Sequence, residues 1–256
     1  MRLTESILGN KILLVPFGES HIPVYHDWLQ NPELRQQTGT LEPMSFEDVE
    51  RAVALWRTNH DAAAFIALLR GGSATDKSDR KASGSSNNRP PRMIGDVNLI
   101  WSYEGNSESN YPQEPPSLGD DLTAPSDCGS PPLQQQLELS LMIGDSTLQR
   151  HGYGREMVSL ALQWAYRETQ RRRRISDQTD SSEDLQPLAV PVLAKIGLKN
   201  KGSIKFFERL GFQRGRVNKT FNEIEYRLWL NAATVANLST KFPCDLIPVT
   251  GCPGCV

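Results

Sequence analysis

The sequence contains few cysteines, no long apolar run and almost no excess of charge. Its four cysteines in 256 residues are too few and too unevenly spaced for a disulfide framework. The apolar stretches are much shorter than the roughly 20 residues that cross a membrane, and the first dozen residues lack the pattern of a secretory signal. We therefore expect a cytoplasmic protein, with access to the nucleus left open, that does not bind a membrane.

Features of nucleic-acid and metal binding are equally sparse. The formal net charge is −2, so no strong positive field favours nucleic acid as a partner. Cys252 and Cys255 have the spacing of half a zinc site, but the sequence has no second pair to complete it. We expect neither nucleic-acid binding nor a bound metal.

Three stretches are rich in polar residues, glycine and proline: 71–91, 104–132 and 171–187. Segments of this composition bury too little apolar surface to offset the entropy lost when they become ordered. They are predicted to be flexible insertions in a single domain that covers residues 1–230. Residues 231–256 are predicted to form a poorly ordered C-terminal tail.

The rest of the chain alternates predicted strands and helices. Strict two-residue alternation over Leu137–Ile143 predicts a strand, and the apolar face of Tyr153–Thr169 predicts a long helix. The other predicted strands are 11–16, 64–69, 93–101, 189–196 and 221–229, and the other predicted helices begin near Ser20, Ser45 and Ser203. Only the strand–helix–strand unit over 137–196 requires a parallel pairing. The prediction is a mixed α/β fold, with a mostly antiparallel sheet of about six to seven strands and about four helices.

A loop with two glycines, between the predicted strand and the long helix, is the first candidate binding site. It reads Gln149-Arg150-His151-Gly152-Tyr153-Gly154-Arg155. Glycine lets a backbone approach a ligand closely, and the N–H groups of a helix's first turn favour a phosphate. Arg150 and Arg155 could add charge-assisted hydrogen bonds. Ordinary helix-capping turns also use glycine, so this loop alone leaves both interpretations open.

A second segment favours the binding site. It follows the next predicted strand and contains Asn200, Ser203, Phe207 and Leu210-Gly211-Phe212. Taken with the loop, it resembles the Gcn5-related N-acetyltransferase (GNAT) superfamily. That family's phosphate loop reads Gln/Arg-x-x-Gly-x-Gly/Ala, and its next element carries an Asn, a small residue, an aromatic residue and Leu-Gly-Phe.

Three further stretches are similar to one branch of this family, the eukaryotic N-acetyltransferase 9-like proteins. They are the first 17 residues, Gly95-Asp96-Val97-Asn98-Leu99 and Glu138–Ile143. Members of that branch are described as acetylating tubulin amino termini. The resemblance covers residues 1–230 outside the three insertions.

The resemblance implies the GNAT fold, acetyl-coenzyme A as co-substrate and direct transfer of the acetyl group to an amine. The two parallel strands would splay apart to admit the pantetheine arm, with Asn200 on one side and the backbone of Met142 and Ile143 on the other. The cofactor-binding residues that the motifs imply are Met142, Ile143, Gln149, Arg150, His151, Gly152, Tyr153, Gly154, Arg155, Asn200, Ser203 and Phe207.

The sequence departs from the family where a general acid is expected. Many members carry a tyrosine seven residues after the asparagine, but Phe207 has no hydroxyl. A thiol with a pKa near 8.5 still leaves tolerably well without a proton. As general base, Glu138 is the first choice, and Asp96 with Asn98 on the neighbouring strand is the second. The alternative for Glu138 is a solvated side chain on a half-exposed strand.

The acidity of amines favours one kind of acceptor. An α-amine has a pKa of about 7.7 to 8.0, whereas a lysine near 10.4 must be deprotonated at a cost of roughly 4 kcal/mol. A site without a tyrosine at position 207 suits the easier amine, so the predicted partner is a protein N-terminus, and the resemblance adds tubulin as a candidate. The alternatives are a catalytically weak acyl-CoA-binding pseudoenzyme that acts as an interaction module, and an acetyltransferase for lysine or small amines. The oligomeric state is not predicted.

Overall fold

The structure is a computed structural model that describes residues 3–39, 42–70, 91–103, 135–177 and 188–249. The strands are β1 (Glu5–Leu8), β2 (Ile12–Pro16), β3 (Ala62–Leu69), β4 (Met93–Tyr103), β5 (Gln135–Ile143), β6 (Val190–Gly197), β7 (Gln213–Asn218), β8 (Glu223–Leu230) and β9 (Asp245–Pro248). The helices are α1 (Ile22–Gln30), α2 (Pro32–Thr38), α3 (Phe46–Thr58), α4 (Tyr153–Asp177), α5 (Lys201–Arg209) and α6 (Ala232–Lys241). In this described part, no helix is long and apolar enough to cross a membrane.

The described strands form one sheet in the order β7-β8-β6-β5-β4-β3-β2-β1-β9. Every neighbouring pair with a recorded register is antiparallel except β5 and β6, which α4 connects. The predicted mixed fold with a single parallel crossover is therefore confirmed. The sheet has two to three more strands than predicted, because the short strands β1, β7 and β9 were not recognised in the sequence.

The two parallel strands separate along their length. Their register is limited to Leu137 opposite Val192 and Glu138 opposite Leu193. β5 continues to Ile143 and β6 continues to Gly197, and no further residues of the two strands are paired with each other. The expected splay is thus present, and it opens toward the C-terminal ends of both strands.

Each face of the sheet carries an apolar core. On one face, α4 packs Met157 and Leu160 against strand residues that include Leu139. On the other face, α1 and α3 pack over β2, β3 and β4, with Tyr25 among the buried side chains. At β5 this second layer of helices covers Met142 but leaves Ser140 exposed. Both cores follow from the side-chain periods of 3.6 and 2 that the sequence shows.

Helix α3 begins where its capping residue predicts. The Ser45 side chain accepts a hydrogen bond from the Asp48 N–H at 3.1 Å, and the Asp48 carboxylate accepts one from the Ser45 N–H at 3.3 Å. This reciprocal pair satisfies two N–H groups that the helix itself leaves free. The N-cap predicted at Ser20 is one residue early, since α1 begins at Ile22 with His21 as its N-cap, after a short 3-10 turn.

The prediction of an insertion over 171–187 is wrong for its first part, because α4 continues to Asp177. Arg172 donates to Glu168 and to Asp61, both at 2.9 Å, and its guanidinium lies 4.2 Å from the ring centroid of Trp101. These contacts hold the basic stretch against the sheet. The insertions predicted at 71–91 and 104–132 fall almost entirely outside the described residues, as does the remainder of the third.

The prediction of a poorly ordered tail over 231–256 is wrong as far as residue 249. α6 packs against α4, where Gln163 donates to the Phe242 carbonyl at 2.9 Å and accepts from the Ser239 hydroxyl at 2.7 Å. β9 pairs with β1 and extends the sheet. The regular structure therefore continues past the predicted domain boundary, and residues 250–256 lie outside the described part.

Candidate functional site

The opening between β5 and β6 has a defined set of backbone groups along its β5 edge. In an antiparallel ladder, only alternate residues direct their backbone groups to a given neighbour. Gly144 donates its N–H to the Ile94 carbonyl at 2.9 Å, so Met142, two positions earlier, also bonds to β4. Leu141 and Ile143 direct their backbone groups to the opposite edge, where β6 has separated. The prediction that the Met142 N–H contacts the pantetheine arm is therefore corrected in favour of Leu141. Contacts of Leu141 and Ile143 with such an arm stay a prediction.

The loop at the end of this opening has the backbone conformation of an anion-binding turn. Arg150 and Gly152 have positive φ angles of 65° and 87°. A Cβ on Gly152 would meet no atom within 4 Å, so the backbone conformation rather than the available space favours glycine there. The first backbone bond of α4 runs from Glu156 N–H to Gly152 C=O. The N–H groups of residues 153–155 precede this bond and have no acceptor within the helix.

Side chains of the loop fix its shape. Gln149 donates to the Ile143 carbonyl at 3.3 Å, which connects the loop to the end of β5. The His151 Nδ1 lies 2.8 Å from the Gln149 carbonyl oxygen, and the His151 ring stacks on Tyr153 with 6.2 Å between centroids. Arg150 and Arg155 are exposed. The structure thus brings the seven predicted loop residues together beside the opening, with two exposed cations and three helix N–H groups.

An aromatic ring of α5 closes one side of the loop. A Cβ on Gly154 would lie 3.5 Å from Leu141 and 3.5 Å from the Phe206 ring. Phe207, the predicted contact, is instead buried against Phe206 and Phe212, with centroids 5.2 and 5.0 Å apart. The sequence pattern identifies two adjacent aromatic residues, but only the phase of the helix decides which one borders the loop.

Asn200 and Ser203 form the start of α5. The Asn200 Oδ1 accepts a hydrogen bond from the Ser203 N–H at 3.0 Å, and its Nδ2 donates to the Gln37 carbonyl of α2 at 3.0 Å. Asn200 therefore caps one helix and connects it to another at the β6 side of the opening. Contacts of Asn200 and Ser203 with a co-substrate stay a prediction.

Glu138 lies where β5 and β6 begin to separate, and it is already paired. Its Oε2 accepts from Lys195 Nζ at 2.7 Å, and the two side chains are 36% and 41% exposed. The ion pair with Lys195 therefore already occupies one of the two oxygens of this carboxylate. The role of Glu138 as general base stays a prediction that this contact weakens.

Asp96 has the environment that a proton acceptor needs. Its side chain is 2% exposed, and burial raises its pKa to about 7 against the opposing hydrogen bond from Asn98. Asn98 Nδ2 donates to Asp96 Oδ2 at 2.6 Å. The Oδ1 atoms of both residues are buried without a hydrogen-bond partner among the described residues. A buried polar atom without a partner costs about 1–3 kcal/mol, which the fold tolerates here.

Helix α1 covers the Asp96–Asn98 corner. A Cβ on Gly144 would lie 2.0 Å from the Trp28 indole, so glycine is needed for this close packing. Trp28 in turn contacts Tyr25, with 6.3 Å between centroids. Burial first, and the charge of Asp96 second, raise the pKa of Tyr25. Sequence patterns assign Tyr25 only to a buried helix face, because they do not show which strand residues that face meets.

Among the described residues, no group of three or more His, Cys, Asp or Glu side chains is arranged to hold a metal ion. The polar groups at the opening include backbone N–H groups, exposed arginines and the Glu138–Lys195 pair, and the buried carboxyl of Asp96 lies one strand away. This set suits an anionic ligand at the loop and a hydrogen-bond donor at Asp96.

Comparisons with known proteins agree with this geometry. The family model described as "Acetyltransferase (GNAT) domain" matches residues 11–213. The N-acetyltransferase 9-like protein of Schizosaccharomyces pombe is 29% identical over 223 residues, which cover 86% of this chain and 93% of the relative. The alpha/beta-tubulin-N-acetyltransferase 9 of Mus musculus is 26% identical over 234 residues, covering 89% of this chain and 73% of the relative.

Solved structures show the same fold. The spermidine N-acetyltransferase of Vibrio cholerae, in complex with CoA and spermine, superimposes with a TM-score of 0.53 at 14% sequence identity. The match covers 89% of this chain and 99% of that structure. At this identity the likeness establishes the fold alone.

Proposed function

Since the chain belongs to the acetyltransferase (GNAT) family and is an acyltransferase, we propose that it transfers the acetyl group of acetyl-coenzyme A to the α-amine of a protein N-terminus. The observation that carries this proposal is the opening between β5 and β6, which ends at the loop 149–155. An extended arm fits between two separated strands, and a pyrophosphate fits the N–H groups at the start of α4.

The residues of the site fit such a donor. Leu141 and Ile143 present backbone groups along the opening, where an N–H could bond the arm and polarise a thioester carbonyl. The N–H groups at the start of α4, with Arg150 and Arg155, would bind the phosphates. When bound, the thioester supplies an acyl carbon open to attack by an amine and a thiol as leaving group.

The acceptor is argued from chemistry and from the relatives. An α-amine with a pKa of about 8 is partly deprotonated at neutral pH, so it requires less of a base than lysine does. Relatives whose names specify α/β-tubulin as the acetylated protein support a protein acceptor, and they make tubulin amino termini the first candidates. The reaction would then take place in the cytoplasm.

A second candidate is an acyl-CoA-binding module with little or no turnover. Two observations favour it: Phe207 has no hydroxyl to protonate the leaving thiolate, and Glu138 is held by Lys195. Such a protein would keep the affinity for acetyl-coenzyme A and would bind the peptide without modifying it.

Incubation of the full-length protein with acetyl-coenzyme A and defined peptides separates these functions. One peptide has a free N-terminus and no lysine, and its partner has a blocked N-terminus and one lysine. Mass spectrometry should find an added acetyl group on the first peptide only. Acetylation of the blocked lysine peptide would overturn the α-amine assignment, and bound acetyl-coenzyme A without any turnover would favour the binding module.

The donor site is tested by two substitutions at one position. Gly154→Val places a branched side chain against Leu141 and Phe206, where a single Cβ already has contacts at 3.5 Å. It should weaken acetyl-coenzyme A binding well over tenfold in calorimetry, because the gap beside the loop is filled. Gly154→Ala, the matched control, should change the affinity far less. Unchanged affinity in a folded Gly154→Val protein would remove the donor assignment.

A further inference from the structure

Asp96 and Asn98 lie one strand away from the edge of the opening. Asp96 is paired with Met142 and Asn98 with Ser140 across β4 and β5. Side chains directly opposite in such pairs have their Cβ atoms about 4.5–5.5 Å apart. Because α4 covers the other face of the sheet, an amine that enters the opening comes from the face of the exposed Ser140. Asn98, which is half-buried, lies directly opposite Ser140 on that face.

The unsatisfied atoms of this pair match one kind of ligand. Asp96 Oδ1 and Asn98 Oδ1 are acceptors, both are buried, and neither has a donor among the described residues. Buried side-chain oxygens nearly always have a hydrogen-bond partner, so the exceptions call for an explanation. The ligand that satisfies two adjacent acceptors carries several N–H donors, as a primary ammonium group does.

We propose that Asp96 and Asn98 form the amine-binding end of this site, where Asn98 Oδ1 holds the amine and the Asp96 carboxylate accepts its proton. This inference rests on the proposed function and specifies its acceptor side. It assigns to Asp96 the role that sequence patterns give first to Glu138.

The transfer removes two protons from the ammonium nitrogen. The Asp96 carboxylate takes one proton from the ammonium group, and the freed lone pair of the nitrogen forms a bond to the carbonyl carbon of the thioester. The C–S bond breaks, and its electron pair goes to the sulfur. The remaining surplus proton on nitrogen ends on the thiolate, which gives the thiol, and the proton on Asp96 is released to solvent.

The groups around Asp96 agree with this role. From α1, Tyr25 faces it as a neutral side chain with a raised pKa. From β5, Glu138 lies on the same face but is paired with Lys195 of β6. The residue opposite Asp96 on β3 is the apolar Ile66. For a carboxyl with a pKa of about 7, the equilibrium constant for taking a proton from an α-ammonium group with a pKa near 8 is about one tenth. For a lysine with a pKa near 10.4, this equilibrium constant is less than about one thousandth.

The test measures kcat and KM for the peptide with a free N-terminus from pH 6 to 9, together with acetyl-coenzyme A affinity, on the full-length protein. Asp96→Asn should lower kcat/KM for the peptide at least a hundredfold and leave acetyl-coenzyme A affinity within about threefold. Its residual rate should rise only as the amine itself deprotonates, near pH 8. Asp61→Asn changes an exposed aspartate far from the opening and should match the wild type.

A second variant tests the pair without removing the carboxylate. The hydrogen bond from Asn98 lowers the pKa of Asp96, so Asn98→Ala should move the acidic limb of the pH profile upward and raise KM for the peptide. A purely structural role for Asn98 would leave that limb in place.

The outcomes separate this inference from the proposed function. Wild-type protein that acetylates no N-terminus would refute the proposed function. If the wild type turns over and the Asp96→Asn variant is equally active, only the amine-binding pair is refuted. The same conclusion follows if the pH profiles of Asp96→Asn and Asn98→Ala both match that of the wild type. A hundredfold loss in Glu138→Gln with none in Asp96→Asn would return the role to Glu138.

Discussion

Replacing Asp96 with asparagine should stabilise the fold at pH 8 and have little effect near pH 4. Burial raises the pKa of this carboxyl from its ordinary 3.8 to about 7. Between these two pH values the folded protein keeps a proton on Asp96 that the unfolded chain has lost. The free energy of unfolding therefore falls as the pH rises through this window, and it stays low above pH 7.

The magnitude follows from the two pKa values. The pKa values 3.8 and 7 differ by about three, and each unit of pKa difference corresponds to about 1.36 kcal/mol. The wild type therefore loses at most about 4 kcal/mol of its free energy of unfolding. Asparagine has the same shape, can accept the hydrogen bond from Asn98, and carries no charge to bury. The gain in stability of Asp96→Asn should thus grow from near zero at pH 4 to at most about 4 kcal/mol at pH 8.

Urea unfolding, followed by tryptophan fluorescence at pH 4.5, 6 and 8 and constant ionic strength, measures this difference. Asp145 provides a control of opposite sign: burial opposes its ionisation, but hydrogen bonds from Thr147 and Arg92 lower its pKa overall. Asp145→Asn should therefore destabilise the fold at all three pH values, because its contribution is lost only below the ordinary pKa of 3.8. A gain from Asp96→Asn that is the same at all three pH values would refute the burial argument.

Two further predictions concern packing. Gly144→Ala places a Cβ within 2.0 to 2.5 Å of an indole ring of α1, so urea unfolding should show a loss of about 1–3 kcal/mol. Gly197→Ala, whose Cβ meets nothing within 4 Å, should change stability by less than about 0.5 kcal/mol, and equal losses would contradict the contact. Deletion of 231–256 removes the hydrogen-bond partners of the buried Gln163 amide and should reduce the free energy of unfolding by more than about 2 kcal/mol. The midpoint of thermal unfolding should fall accordingly, whereas deletion of 250–256 alone should leave it unchanged. Equal midpoints for the two deletions would show that α6 and β9 add nothing.

Side-chain periodicity predicted the elements that a long, regular pattern specifies. The alternation over Leu137–Ile143 gave β5 correctly, since a strand buried on one face needs that pattern. It could not give the direction of the backbone groups. That direction depends on which residues pair with β4, so the sequence pattern points to Met142 although Leu141 faces the opening.

The different environments of the two candidate bases could not be read from the sequence for a related reason. Glu138 and Asp96 both alternate with apolar residues, so their local patterns look alike. Burial of Asp96 is decided by α1 and α3, more than 35 residues away in sequence, and the ion pair of Glu138 is decided by Lys195 on a strand that follows α4. Similarly, the run of arginines after Thr169 has the composition of a linker, and its sequence does not show the contacts of Arg172 with Glu168, Asp61 and Trp101.

The pairing of β1 with β9 has a consequence for synthesis on the ribosome. Glu5–Leu8 lies between β2 and Asp245–Pro248, so one edge of β1 stays open until nearly the whole domain has been translated. An open strand edge can pair with another chain, and contacts between residues so distant in sequence form slowly. Binding of a nascent-chain chaperone to β1 during translation would protect this open edge until β9 has been made.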